Sequence, residues 1–213
     1  MFIDFERQAT ANLLAFYTNE ELAKKKNVLL RLIEEMSKNG VVFALSCSGA
    51  YFFRGLIDDF HDYDIVVEEA SINKFIDIFV NVLGGKLSIG QNGKEKYFDS
   101  KVFCFGEMEE VEFDIISKFT VITYNTKFTV ITYNTRYEYD FKACEIEFVN
   151  GIIPVCPVES SLLLYGMMIQ WQARRRYKYQ IALNYFRQNG VSYPEILKAK
   201  NLPKFIQDDI KTL

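Results

Sequence analysis

The first half of the chain alternates between helical and extended hydrophobic patterns. Apolar residues recur every three to four positions over 18–39, which predicts an amphipathic helix that Thr18 or Asn19 caps and Gly40 ends. The elements predicted after it are a strand at 41–46, a turn and short helix at 48–55, a strand at 62–68 and a helix at 71–85. Helices and strands therefore alternate up to residue 85.

The second half begins with strands and ends with helices. Segments 96–106 and 109–117 have strand patterns, and we predict a hairpin between them around Gly106–Glu107. From Pro157 onward the pattern is helical. This order predicts an α+β fold, a mixed β-sheet flanked by helices with a C-terminal helical segment. We place a boundary near residue 155, between a core at 1–155 and a helical region at 156–213.

A direct repeat interrupts the pattern. KFTVITYNT occurs at 118–126 and again at 127–135. Because nine is an odd number, one straight strand would turn the second copy to the opposite face of a sheet. We therefore expect a hairpin or a bulge around 125–127, on a surface arm without chemistry of its own.

Composition excludes several classes of protein. Hydrophobic residues make up 49% of the 213 residues, which is enough for a core, and the net charge of −3 gives no general argument for binding nucleic acid. The four cysteines show no CxxC spacing, and His61 is the single histidine, so zinc chemistry is not expected. No secretory signal or membrane-spanning segment is evident, and reduced thiols fit a cytoplasmic protein without membrane association.

Two strands carry acidic residues at alternate positions. Asp62 and Asp64 share one face of the 62–68 strand, and Glu112 and Asp114 share one face of a later strand. Such residues can simply be the solvated end of a strand. If the strands are neighbours, however, the carboxylates repel one another unless a cation lies between them or one is protonated. Mg²⁺ suits a group of carboxylate oxygens with room for water.

The order of these segments resembles the minimal nucleotidyltransferases of the DNA polymerase β-like superfamily. That pattern is a Gly-Gly or Gly-Ser turn, an acid–apolar–acid–apolar strand, and a later acid between apolar residues. Here the turn is read at Ser48-Gly49, the strand at 62–65 and the third acid at Asp114. The segment EFVNGIIPVCPVESSLLL is similar to the family's strand–Gly–strand–Pro-Glu passage into its C-terminal helices. The resemblance covers roughly residues 20–190, and within the superfamily it is closest to the small antibiotic-type and abortive-infection-type enzymes.

The resemblance implies a function. It predicts transfer of a nucleoside monophosphate from a nucleoside triphosphate (NTP) to a hydroxyl or phosphate acceptor, with Mg²⁺ and release of pyrophosphate. The acceptor can be a small molecule such as an antibiotic, a tRNA end or a protein. Asp62, Asp64 and Asp114 are the expected catalytic metal ligands.

The remaining expected site residues contact the nucleotide. Ser48 and Gly49 are expected on the β- and γ-phosphates, in the order Ser-Gly where the family has Gly first. Arg54 lies in the following loop, and Arg174 and Lys178 belong to the basic stretch RRRYKYQIALNYF. That charge run is equally consistent with a solvated helix face.

Several alternatives stay open at this stage. The protein can be a degenerate member that binds a partner or nucleotide without turnover, or a carboxylate-metal nuclease or phosphohydrolase. Glu112 can face solvent or act as a general base. A structural role is favoured for His61.

Overall fold

The structure is a computed structural model that describes residues 4–89, 102–127, 130–139, 145–169, 172–198 and 202–213. The helices in these ranges are α1 (Phe5–Thr18), α2 (Glu20–Lys38), α3 (Cys47–Phe53), α4 (Ile72–Asp77), α5 (Val158–Met168), α6 (Arg176–Asn189) and α7 (Lys204–Ile210). The strands are β1 (Phe43–Leu45), β2 (Tyr63–Val67), β3 (Lys86–Ile89), β4 (Val102–Met108), β5 (Val111–Ser117), β6 (Phe119–Lys127), β7 (Val130–Tyr139), β8 (Glu147–Val149) and β9 (Ile153–Val155).

Seven of these strands form one sheet in the order β3-β4-β5-β2-β1-β9-β8. The pairs β2–β5 and β1–β9 are parallel, and the other neighbours are antiparallel. This mixed sheet with flanking helices confirms the predicted α+β class. The two acidic strands, β2 and β5, are direct neighbours at its centre.

Alternation along β2 and β5 separates the core from a polar face. Tyr63, Ile65, Phe113 and Ile115 are almost completely buried, and the Tyr63 and Phe113 rings lie 5.5 Å apart. Phe79 packs edge-on against Phe113 beneath the sheet. The intervening aspartates therefore point to the opposite, accessible face.

Helix α1 was not predicted from the pattern of apolar residues. It packs against the end of α3 and the loop that follows it. The buried Asn12 donates hydrogen bonds to the carbonyls of Phe52 and Ile57, at 2.6 and 2.7 Å. Gly55 has φ +72° and lies so close to α1 that a Cβ there would be 2.3 Å from the carbonyl oxygen of Phe5. Glycine is therefore required at residue 55.

Two sequence predictions need correction. The β4–β5 hairpin turns at Glu109–Glu110, both of which have positive φ, and not at Gly106–Glu107. Gly106 is a packing glycine inside β4, where a Cβ would lie 3.1 Å from Ile115 and Phe79. The predicted helix at 71–85 changes at residue 78 into a π-helical turn, Ile78–Val82. Strand β3 was also not predicted, and residues 96–101 of the predicted strand lie outside the described residues.

The repeat forms a separate two-stranded hairpin, β6–β7. The two strands pair as far as Lys127 and Val130, past the expected turn position, and the register shifts between Thr123 and Tyr124. Residues 119–122 pair with 136–139, which follow the second copy. The nine duplicated residues therefore occupy the far end of the hairpin.

The C-terminal part follows the predicted order of strand, glycine turn, strand and helix. Gly151, with φ +68°, lies in the turn between β8 and β9, and α5 begins after Pro157. The buried side chains on both sides of residue 155 belong to one hydrophobic cluster, and the division into two regions stays a prediction. In the described ranges, every helix is too short or too polar to cross a bilayer.

Candidate metal centre

Three of the predicted carboxylates meet on the polar face of the sheet. Asp64 and Asp114 are in register on the parallel strands β2 and β5, and Asp62 immediately precedes β2. Each offers one oxygen such that all three oxygens lie within 4.8 Å of one another, and each residue is partly buried. The distance suits shared coordination of a cation.

The pKa of the Asp64 carboxyl is strongly raised. Burial, together with the negative charges of Asp62 and Asp114, raises the pKa of Asp64 to about 7. The Lys178 ammonium and a hydrogen bond from the Ser48 hydroxyl to Asp64 Oδ2, 3.2 Å long, lower it in part. Burial first, and then the two neighbouring charges, thus favour the protonated form of Asp64.

The turn that carries Ser48 is built differently from the sequence prediction. Cys47 has φ +48°, a left-handed conformation that side chains disfavour and glycine tolerates. Gly49 lies within α3 and is buried, and a Cβ there would meet its neighbours at ordinary distances of 3.8 Å or more. The left-handed backbone conformation at this helix start thus belongs to Cys47 and not to Gly49.

The loop that brings Asp62 to the site is supported by helix α2. Lys25 donates to the Phe60 carbonyl and lies over the Phe60 ring, 4.4 Å from its centroid, and the Tyr63 hydroxyl donates to the Lys25 carbonyl. His61 is 88% exposed, and its Nε2 lies 3.4 Å from Glu112. Glu112 therefore lies beside His61, outside both the group of three aspartates and the described cavity lining.

Basic residues from the start of α6 face the carboxylates. Lys178 and Arg175 lie 5.5 and 5.8 Å from the ring centroid of Tyr165 on α5. Partial burial lowers the pKa of Lys178. The Tyr165 hydroxyl is buried, and no hydrogen-bond partner for it is found among the described residues.

A cavity of about 660 Å³ connects these groups. Its described lining comprises Cys47, Ser48, Asp59, Phe60, His61, Asp62, Asp64, Phe103, Phe105, Asp114, Ile116, Leu164, Tyr165, Met168, Arg174, Arg175 and Lys178. Carboxylates, a serine hydroxyl and three cations thus open onto one space. Such a cavity can bind a metal ion and a phosphorylated ligand together.

Two residues predicted for nucleotide contact are not part of the described cavity lining. Gly49 does not reach the cavity lining. Arg54 is buried and forms an ion pair with Glu147 of β8, away from the three aspartates. Arg176, the third arginine of the basic run, is also outside the lining, whereas Arg174 and Lys178 belong to it.

The sequence prediction missed several lining residues. Phe105 lies directly opposite Asp114 in the β4–β5 hairpin, but a turn centred on Gly106–Glu107 would have placed position 99 there instead. The adjacent positive-φ residues Glu109 and Glu110 carry little sequence signal for a turn. Tyr165 lies in an apolar helix and carries no sequence signal that separates it from core residues.

Comparison with solved structures identifies the fold. The chain is similar to ANT(2″)-Ia solved in complex with adenylyl-2″-tobramycin, with a TM-score of 0.51, 9% identity, and coverage of 87% of this chain and 97% of that one. The solution structure of the antibiotic-resistance factor ANT(2″)-Ia gives 0.49 at 11% identity, covering 88% and 91%. A crystal structure from Thermotoga maritima, described as a candidate nucleotidyltransferase, gives 0.49 at 16% identity, covering 78% and 94%.

The sequence matches no known family model and no curated protein. The first comparison covers nearly the full length of both chains, and the mixed sheet with its flanking helices agrees with it. At the level of the fold, it confirms the resemblance noted in the sequence. The chain therefore has the nucleotidyltransferase fold.

Proposed function

We propose that the protein is a Mg²⁺-dependent nucleotidyltransferase that moves a nucleoside monophosphate from an NTP to an acceptor hydroxyl. The observation that carries this proposal is the meeting of Asp62, Asp64 and Asp114 within 4.8 Å in a cavity that also holds Ser48 and Lys178. Acids that only form a solvated surface are not expected to share a cavity with a half-buried lysine such as Lys178.

The donor set fits a magnesium ion. Its members are carboxylate oxygens alone, which are the ligands that Mg²⁺ prefers, and the cavity is large enough for the ion to keep water molecules. The pKa of Asp64 is raised first by burial and then by the negative charges of Asp62 and Asp114, and a bound cation would compensate those charges. When bound, the ion would neutralise charge on the phosphate oxygens during the displacement.

The chain's own residues then have separate roles. The Ser48 hydroxyl holds Asp64 by a hydrogen bond and thereby fixes one carboxylate oxygen. Lys178 and Arg175 lie on the α6 side of the cavity, where their positive charges can bind the β- and γ-phosphates. Because Lys178 is partly buried, its interaction with a phosphate would be less screened by solvent than that of a surface lysine.

The proposed reaction is a single in-line displacement at the α-phosphorus. The acceptor hydroxyl oxygen forms a bond to the α-phosphorus, while the bond from that phosphorus to the bridging oxygen of pyrophosphate breaks. The leaving pyrophosphate takes the electron pair. The hydroxyl proton passes to the Asp114 carboxylate on β5, or to water.

The experiment compares wild type with Asp64→Asn. We expect Asp64→Asn to reduce pyrophosphate release from NTP and acceptor by at least about a thousandfold, because it removes a charged ligand without changing side-chain size. Mg²⁺ binding, measured by calorimetry, should weaken in the same variant. Glu107→Gln is the matched control, since Glu107 is an exposed carboxylate on β4 that pairs with Lys86 outside the cavity.

Other outcomes identify the alternatives. Binding of Mg-NTP without turnover of any tested acceptor would favour a degenerate, interaction-type protein. Cleavage of nucleic acid, without pyrophosphate release from NTP, would favour a carboxylate-metal nuclease. Full activity of Asp64→Asn would overturn the metal assignment.

A further inference from the structure

Two phenylalanines line the cavity beside the metal centre. Phe103 and Phe105 point to the same face of β4, and their rings form an edge-to-face pair with centroids 4.7 Å apart. Phe105 is 46% exposed, so a large part of its ring is accessible from the cavity and solvent. The pair offers an open aromatic surface to a ligand.

This surface lies directly next to Asp114. Phe105 is the cross-strand partner of Asp114, and Phe103 is the partner of Ile116, which also lines the cavity. Directly opposed side chains in an antiparallel pair have Cβ atoms about 5 Å apart. A ligand ring that stacks on Phe105 therefore lies next to the Asp114 side chain, its direct cross-strand neighbour.

The aromatic pair and the cations lie on opposite sides of the three aspartates. In the sheet order, β4 lies on one side of β5 and β2, and β1 lies on the other. Cys47 and Ser48 follow β1, and α3 contacts α5, which carries Tyr165 beneath Lys178 and Arg175. A triphosphate bound by those cations leaves the β4 side for the second substrate.

The charges of the cavity disfavour a polycationic acceptor. Its described lining contains four carboxylates, three of which form the metal centre. The fourth, Asp59, accepts a hydrogen bond from the Phe60 backbone N–H at 2.7 Å. Amino groups of an acceptor would thus compete with the metal for the same oxygens.

We propose that the Phe103–Phe105 pair is the acceptor subsite, and that it selects a hydroxyl compound carrying an uncharged aromatic ring. This inference rests on the proposed function, in which the cations hold the triphosphate. Edge-to-face and offset stacking with Phe105 orient the ring, so that the hydroxyl lies beside Asp114. Tobramycin, an aminosugar found as the adenylyl adduct in the ANT(2″)-Ia structure, is instead a polycation.

The test uses two probes that differ only in the ring. Phenyl β-D-glucopyranoside and methyl β-D-glucopyranoside carry the same hydroxyls, and tobramycin serves as the polycationic probe. Binding to the whole protein is measured by calorimetry or by saturation-transfer NMR, first without nucleotide and then with Mg²⁺ and a non-hydrolysable NTP. We expect the phenyl compound to bind at least about tenfold more tightly than the methyl compound, because the added ring stacks on Phe105.

Matched variants locate this preference. Phe105→Ala should abolish the preference for the phenyl compound, while Phe148→Ala, which removes an exposed phenylalanine on the opposite edge strand β8, should keep it. Equal binding of the two glucosides, or an unchanged preference in Phe105→Ala, would overturn the inference. So would tighter binding of tobramycin at moderate salt.

A further arm separates the acceptor from the nucleotide. If the NTP analogue displaces the phenyl glucoside, the nucleobase occupies the aromatic pair and the acceptor assignment is wrong. If the NTP analogue does not bind at all, the proposed function fails. The dependence of the phenyl preference on Phe105 is still measured in the nucleotide-free arm, so the two failures are distinguishable.

Discussion

Asp64 and Asp114 lie side by side, in register, on two parallel strands in the middle of the sheet. The register is fixed by the buried faces of those strands, since a slip of one residue in either strand would bury its aspartate and expose its aromatic residue, Tyr63 or Phe113. The hydrophobic core of the protein therefore determines the geometry of its charged site.

The first prediction concerns the pH dependence of stability. The pKa of Asp64 is raised from 3.8 to about 7 in the folded protein, so between these values the folded state keeps a proton that the unfolded state has lost. Stability falls as pH rises through this window, and the full penalty is present above it. Asp64→Asn should be more stable than wild type at pH 8, by on the order of 2–4 kcal/mol, but not at pH 3.

Urea unfolding at a series of pH values measures this difference. Glu107→Gln should follow the wild-type curve, because Glu107 is exposed and lies outside the group of three aspartates. Millimolar Mg²⁺ should stabilise wild type at pH 8 more than Asp64→Asn. An equal difference between the variant and wild type at pH 3 and pH 8 would contradict the assignment of the titration to Asp64.

The second prediction concerns Lys178. Replacing it with methionine keeps most of the side-chain volume but removes the cation that faces the aspartates, so NTP affinity should fall roughly tenfold to hundredfold. Calorimetric titration with a non-hydrolysable Mg-NTP gives the dissociation constant. Lys198→Met, at an exposed lysine paired with Glu195, is the control and should leave it unchanged. An unaltered constant in Lys178→Met would place the phosphates elsewhere.

The third prediction concerns the strained turn at Cys47. Both Cys47→Ala and Cys47→Gly lose the thiol, but only glycine accepts φ +48° without strain. We expect the glycine variant to be more stable than the alanine variant by about 1 kcal/mol. Denaturant midpoints of the two variants test this, and an alanine variant of equal or higher stability would show that the turn is not strained.

Sequence and structure agree where burial dictates the pattern. The alternation of Asp62 to Asp64 with buried neighbours defined β2 and its polar face, and Asp114 was found in the same way. The hairpin turn was misplaced because glycine at residue 106 serves packing, while the real turn uses two glutamates. The sequence likewise predicted the turn at Gly49 and not at Cys47, since a cysteine in the left-handed conformation has no sequence signature.

The fourth prediction tests the attachment of α1. Gly55 and Gly40 both have positive φ, but only at Gly55 would a Cβ collide with backbone atoms, those of Phe5 and Ala9. Gly40→Ala should cost about 1 kcal/mol of unfolding free energy from the backbone conformation alone. Gly55→Ala should cost at least about 2 kcal/mol more, because α1 must move away. Equal losses in urea unfolding would mean that the close packing of α1 contributes little.

The fifth prediction concerns the repeat. Deleting residues 127–135 leaves one copy of KFTVITYNT and preserves the pairs Phe119–Tyr139 to Ile122–Arg136, now joined by a four-residue loop. The thermal midpoint and the metal affinity should stay close to those of wild type, because the lost pairs belong to the small separate sheet. A large loss of either would show that the distal part of the hairpin supports the main sheet.

The position of this duplication also has an evolutionary consequence. Nine residues divided between two strands lengthen the hairpin by roughly 15 Å at 3.3 Å per residue. The residues added to one strand hydrogen-bond to those added to the other. Growth of this kind needs no compensating change in the rest of the molecule. Copying or losing this segment could thus change the length of the hairpin during evolution, while Asp114 on the preceding strand β5 keeps its place.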